Sequence, residues 1–283
     1  MKPIGIFFSK SFDSLKGNWG MAAISVIIVV ALMCVFALVA GLFMAIPTFL
    51  QASHIVTIIF AIIASMFYIL AVVPLYWAFK MIYLSLIRDG KLNLGLLSYG
   101  YNNVYHVTWG YVLIFLCQIL VSFALLVLPA MTIAGNGLSV TLTEQTALAQ
   151  TIRLVDWGVN IYLIILFSQY AYIIYDDDDI RAYGALQRSV ELMRGHKLQY
   201  FIILLIYTLS IGALLGVLYC LPAYIGRAGM VMAFVLLILF AVLYIPFMET
   251  VNAHFYESLE ENDEATEETD SDYKEINSNN EEV

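Results

Sequence analysis

The sequence predicts an all-α membrane protein, a six-transmembrane-helix bundle, and three observations carry that prediction. Six apolar stretches, 20–46, 55–79, 107–131, 157–175, 199–221 and 228–248, reach the length required, since about 20 apolar residues cross a hydrocarbon core of about 30 Å. The composition, 62% hydrophobic and 12% charged with a mean hydropathy of +0.86, is far from that of soluble domains, where about a quarter of residues are charged. The basic residues of the connecting segments also fall on one side. Lys2, Lys10, Lys16, Lys80, Arg88, Lys91, Arg181, Arg188, Arg194, Lys197 and Lys274 share a side, and only Arg153 and Arg227 lie opposite. Because positive residues stay cytoplasmic, both termini are expected inside.

In chain order, residues 1–18 form an N-terminal cytoplasmic amphipathic segment. The apolar stretch that follows is too long for a cleavable signal peptide, so the first helix is expected to stay. Residues 19–259 form the six-helix membrane domain. Trp19, Trp77, Trp109 and Trp157 fall near its predicted interfaces, where amphipathic rings are favoured. Pro47, Pro129 and Pro222 mark outer helix ends, while Pro74 and Pro246 lie inside the second and sixth spans. Residues 260–283 form an acidic tail, expected to be disordered and cytoplasmic because it cannot bury enough apolar surface to fold. From 257 to 283 twelve acids face one lysine, so the net charge of −9 belongs to the tail, and the rest of the chain carries +2.

Two internal echoes suggest repetition. Ser11, Asp13, Leu15, Lys16 and Gly17 align without gaps on Ser189, Glu191, Met193, Arg194 and Gly195. Each set reads as a cytoplasmic helix ending at Gly, with a basic residue in its last turn. Pro74 with Tyr83, Ser85 and Leu86 is matched by Pro246 with Tyr256, Ser258 and Leu259. With 88–106 as a weaker third copy, the chain reads as three pseudo-repeated helical hairpins, each introduced by an amphipathic cytoplasmic helix.

The most distinctive polar segment is Asp176 to Asp179 followed by 180–197. At 100° per residue, Ala182, Met193, Leu186, Val190 and Tyr183 share an apolar arc opposite Arg181, Gln187, Arg188, Glu191 and Arg194, the pattern of an interfacial helix. Asp178 or Asp179 is placed to cap it. Capping is preferred over Mg²⁺ or Ca²⁺ binding, because adjacent carboxylates do not easily converge on one ion. Arg181, Arg188, Arg194 and Lys197 are candidate contacts for anionic lipid headgroups. Gln118, Asn160 and Gln169 are candidate polar residues of an intramembrane cavity, with hydrogen-bonded packing between helices as the plainer alternative. Asp156 and Glu249 fall at span edges, where water is near. Gly212 and Gly216 read as a site of close helix packing.

Catalytic signatures are absent from the sequence. His54, His106, His196 and His254 are scattered without zinc-binding spacing, and neither a P-loop nor GxSxG occurs. Cys34, Cys117 and Cys220 sit singly inside apolar stretches and read as buried small hydrophobes. No enzyme activity, cofactor or metal is expected. The expected partners are membrane lipids and, through the tail, a protein, but no nucleic acid.

Ser189 to Lys197, Pro246-Phe247 with Ala253 to Leu259, and Leu15 to Trp19 resemble the pattern of an uncharacterised bacterial family of multi-pass membrane proteins, the domain of unknown function 975. Members often carry an Asp-Asn-Pro type turn where this chain has Asp176 to Asp179. The resemblance implies a bacterial inner-membrane bundle and nothing catalytic. A more distant similarity to the membrane portion of glycerophosphodiester phosphodiesterases comes without their catalytic domain. Two function classes follow: a non-enzymatic accessory or scaffold protein contacting lipids or partners, and a transporter or channel for a small or lipophilic solute.

Overall fold

The structure, a computed structural model, describes residues 3–135, 142–177 and 179–281, with side chains described outside 128–149, 264 and 266–281. The described residues form helices and no strand: α1 (Ile4–Leu15), α2 (Trp19–Phe49), α3 (His54–Asp89), α4 (Leu96–Asn102), α5 (Val104–Gly135), α6 (Leu142–Leu166), α7 (Tyr170–Asp176), α8 (Ala182–Leu192), α9 (Lys197–Ile225) and α10 (Arg227–Glu281). Six candidate spans lie on α2, α3, α5, α6 with α7, α9 and α10. The chain divides into two compact units, Met1–Val104 with Leu198–Val283, and Tyr105–Lys197.

In the first unit α3 packs against α2, α4 and α10, and α10 also meets α1 and α2. The buried cluster joins Leu15, Ala22, Val26 and Val29 to Leu75, Phe79, Tyr83 and Leu86. These residues come from the end of α1, the start of α2 and the second half of α3, so the packing sits at the basic end of the spans. The other halves expose Leu38, Leu42, Ile58 and Ile62. Apolar side chains gain little by leaving lipid for a neighbouring helix, so close packing gathers where polar groups need partners. Ser25 and Tyr83 are such partners, bonded Oγ to Oη at 2.8 Å inside the cluster. Tyr83→Phe is expected to lower stability by about 0.5–2 kcal/mol, read by thermal unfolding in detergent.

Beyond the hydrophobic stretches α1 lies on α10, with Phe7 edge-on to Phe255 at 5.7 Å and Ser14 Oγ 3.0 Å from His254 Nε2. Arg88 at the end of α3 pairs with Glu257 and Glu260 of α10. In the second unit α7 packs on α8, and α6 is separated from α7 by the irregular residues 167–169.

Gly17 and Gly195 close the short helices α1 and α8 in the left-handed conformation, with φ of 82° and 80°. The backbone bonds match position for position. Lys16 N–H donates to Asp13 O at 3.1 Å and Arg194 N–H to Glu191 O at 2.9 Å. Asn18 N–H donates to Leu15 O and His196 N–H to Met193 O. Gly17→Ala and Gly195→Ala are each expected to cost about 1–2 kcal/mol, seen as lowered melting temperatures.

Several expectations change. The helices run past the predicted outer ends, so Pro47 and Pro222 lie inside α2 and α9. Hydropathy marks the hydrocarbon stretch, whereas backbone hydrogen bonding continues beyond it. The fourth span is interrupted rather than continuous. Trp77 is not an interfacial ring: it is 0% exposed and stacks on Tyr99 of the segment packed against α3. Cys34 and Cys220 are exposed rather than buried, and all three cysteines are free thiols. Among the described residues, nothing lies within 4 Å of where a Cβ would stand at Gly212 or Gly216, so no helix packs closely there. The backbone of α10 stays helical to Glu281 where composition predicts no regular structure. An established helix lengthens without a new nucleation step.

Candidate functional site

In two second spans the backbone hydrogen-bond ladder is interrupted where a short helix packs, although α3 stays one continuous helix. In α3 the interruption is Pro74, which supplies no N–H to the helix ladder. Gly100 of α4 lies against it, so close that an added Cβ would stand 2.5 Å from Pro74 O. Tyr101 Oη donates to Ala71 O at 2.8 Å. Burial raises the Tyr101 phenol above its ordinary value, so it stays a donor at neutral pH. In the second unit the interruption is 167–169, and Ser189 Oγ of α8 donates to Leu166 O at 2.8 Å. Here a hydroxyl from the short helix satisfies a carbonyl that an unbroken helix would have used; in α3 the carbonyl that Pro74 leaves unused is that of Leu70, one residue before Ala71.

The helix α8 differs in detail from its sequence reading. Arg181, rather than Asp178 or Asp179, occupies the N-cap position, and no side chain caps the helix. Asp179 N–H instead donates to Asp177 Oδ1 at 3.0 Å, and Asp178 lies outside the described residues. The buried arc is Ala182, Ala185, Leu186, Ser189 and Leu192, and Tyr183 is 74% exposed. The 100° projection widened the arc to include Tyr183 because large aromatic residues score as apolar. The face packed on α7 instead combines the small Ala182, Ala185 and Ser189 with Leu186 and Leu192. Arg181 and Arg194 are exposed and Arg188 is half-buried. Lys197 Nζ donates to Tyr162 Oη at 2.9 Å and lies 5.0 Å from the ring centroid.

The three candidate cavity residues have diverse surroundings. Gln118 is half-buried on α5. Asn160 Nδ2 donates to Ser122 Oγ at 3.1 Å, to Asp156 O at 2.9 Å and to Asp156 Oδ1 at 3.1 Å, linking α6 to α5. Gln169, 1% exposed at the interruption, donates to Ser168 Oγ at 2.8 Å. Its Oε1 has no hydrogen-bond partner among the described residues.

The first unit holds a polar cluster around Glu249, which the sequence places at a span edge near water and the structure instead buries. Glu249 of α10 is 9% exposed. Its carboxyl is hydrogen-bonded by the Asn252 side chain and feels the charge of Lys80 on α3. The Lys80 ammonium also lies 5.2 Å from the Tyr76 ring centroid. Tyr207 of α9 interacts electrostatically with Glu249, Tyr244 and Lys80. Its ring stacks on Tyr244 at 5.9 Å and 7°. Glu249 Oε2 and Tyr244 Oη are buried without hydrogen-bond partners among the described residues. An ionisable pair enclosed among membrane helices is a functional-site candidate by default. A carboxyl oxygen and a phenol that lack partners can each hydrogen-bond a polar group. Among the described residues, no group of three or more His, Cys, Asp or Glu is placed to hold a metal.

The profile of a family described as protein of unknown function DUF975 matches residues 9–263. The chain belongs to the DUF975 family. It is a multi-pass membrane protein with six helices of spanning length and hydropathy. No curated protein and no solved structure matches it. The family match takes in both units, all four candidate lipid contacts and the Lys80–Glu249 cluster, and ends before the last acid-rich residues.

Proposed function

We propose that this DUF975 protein is a non-enzymatic accessory or scaffold protein of the bacterial inner membrane, contacting lipids and partner proteins through its basic, cytoplasmic side. The observation that carries this reading is the packing of the short helices onto second spans at the basic end. In the first unit α1 meets α10 and α4 meets α3, and in the second α8 meets α7. The second unit carries the exposed Arg181 and Arg194, suited to anionic headgroups worth on the order of 1 kcal/mol each. The three pairings, with the matched Gly17 and Gly195 turns, support the description as three pseudo-repeated hairpins with both termini inside. The tail from 260 offers dense negative charge to a basic protein partner.

The test is purification in native-lipid nanodiscs with identification of copurifying lipids and proteins. The wild type is expected to retain anionic lipid, and Arg181→Glu with Arg194→Glu to lose about half or more of it. Retention unchanged by charge reversal removes the headgroup contacts. Truncation at 260 that leaves every copurifying protein in place removes the partner role of the tail.

A second reading, a transporter for a small or lipophilic solute, is supported by the enclosed Lys80–Glu249 cluster. Solute uptake by reconstituted protein, abolished by Glu249→Gln at unchanged folding, would replace the first reading with this one.

A further inference from the structure

An apolar groove of about 490 Å³ runs along the first unit, lined by Phe12, Trp19, Leu214, Leu239, Tyr244 and Phe247 among others. Its floor on α10 is Leu236, Leu239, Phe240, Leu243, Tyr244 and Phe247, spaced at three and four residues and so on one helix face. From Leu236 to Phe247 the helix rises about 16 Å along its axis at about 1.5 Å per residue, a length suited to an extended hydrocarbon chain. The volume falls in the range of about 300–1,000 Å³ typical of small-ligand sites. Apart from the Tyr244 ring, the lining residues named by the groove are aliphatic, phenylalanine or tryptophan, which disfavours a polar solute or an ion.

One end of the groove lies at the membrane boundary and the other within the hydrocarbon stretch. At the boundary end Phe12 meets Trp19 edge-on at 6.1 Å, and Phe8 beside them contacts Phe247 at 5.8 Å. The Lys16 ammonium lies 5.7 Å from the Phe12 ring centroid. Its bond to Asp13 at 2.6 Å is solvent-exposed on both sides, and exposed pairs are weakly held. Lys16 is therefore available to a phosphate at the mouth. Tyr244, one of the lining residues, stacks on Tyr207.

We propose that this groove is a lipid site, holding one acyl chain of an anionic phospholipid from the cytoplasmic leaflet, with the Phe12–Trp19 pair at its mouth and Lys16 on the headgroup. The proposal deepens the lipid-contacting reading above and rests on it.

The test uses the full chain in nanodiscs of phosphatidylcholine doped with phosphatidylglycerol bearing a photoactivatable acyl chain, with crosslinked residues mapped by mass spectrometry. Crosslinks are expected to concentrate on Leu214, Leu239 and Leu243, at least fivefold above the exposed Leu209 and Leu120. Photoactivatable phosphatidylcholine is expected to label the same residues several-fold less, and Lys16→Gln to remove that preference. Leu239→Trp, which fills the groove, is expected to abolish the concentrated labelling. The unsubstituted protein is decisive by itself if that variant fails to fold. Labelling spread evenly over exposed faces, or crosslinks joining two copies of the chain, overturns the proposal. Even labelling with anionic lipid still copurifying leaves the broader reading standing. Groove labelling together with solute uptake overturns that reading and leaves the groove.

Discussion

Gly110→Ala is expected to destabilise the second unit by about 1–3 kcal/mol, the range for forcing extra methyl volume into a packed site. A Cβ at position 110 would fall on Oη, Cζ and Cε2 of Tyr170. The phenol cannot simply swing away. Its Oη donates to His106 O at 2.9 Å and to Val107 O at 3.3 Å, and its ring sits edge-on to Tyr111 at 5.4 Å. Displacing it breaks the bonds that hold the start of α7 to α5, just past the interruption at 167–169. Thermal unfolding of the purified protein measures the loss. Tyr170→Ala is costly alone but should combine with Gly110→Ala at well below the sum of the two, because the clash disappears with the ring. Additive costs would mean that the two residues do not touch as described. Gly212→Ala and Gly216→Ala are the contrast. With nothing near either position among the described residues, alanine should be neutral or stabilising by up to about 1 kcal/mol through helix propensity.

Lys80→Met is expected to cost about 1–3 kcal/mol, the range for leaving an enclosed polar group without one of its partners. Glu249 is almost fully enclosed and would be left without its cation, while Lys80 is only half-buried. Glu249→Gln should cost less, since the amide keeps the shape and can still meet Asn252. The double variant, Lys80→Met with Glu249→Gln, should regain part of the loss. A double-mutant cycle by thermal unfolding that returns no coupling would show that Lys80 and Glu249 do not depend on each other. If the double variant folds well and yet loses lipid or protein partners, the pair has a role beyond stability.

Lys80 and Glu249 also show why part of the site was hidden in the sequence. The second and sixth apolar stretches end at 79 and 248, one residue before each charge, because a hydropathy window stops where charge begins. The helices do not stop there. On α3 every residue from Met81 to Leu86 is buried, and on α10 Val251, Phe255, Tyr256 and Leu259 are. The apolar residues continuing beyond each charge were the available signal. Tyr83 and Tyr256, Ser85 and Ser258, and Leu86 and Leu259 were legible as an echo, and all six are buried. Both serines hydrogen-bond the carbonyl three residues earlier, Ser85 to Ile82 O at 2.9 Å and Ser258 to Phe255 O at 2.7 Å.

By itself the sequence determined the helical membrane class, the six stretches that make it and the family. It also determined the glycine turns that close α1 and α8, because hydropathy and the left-handed preference of glycine are local properties of the chain. Only the tertiary structure decided where the packing lies, which charges it encloses, how the fourth span breaks at 167–169, and which faces are left to lipid. In a bilayer every span is apolar all round, so composition does not distinguish a face that meets a helix from one that meets an acyl chain. That distinction depends on small contacts such as Gly110 against Tyr170 and Ser25 against Tyr83, between residues far apart in the sequence.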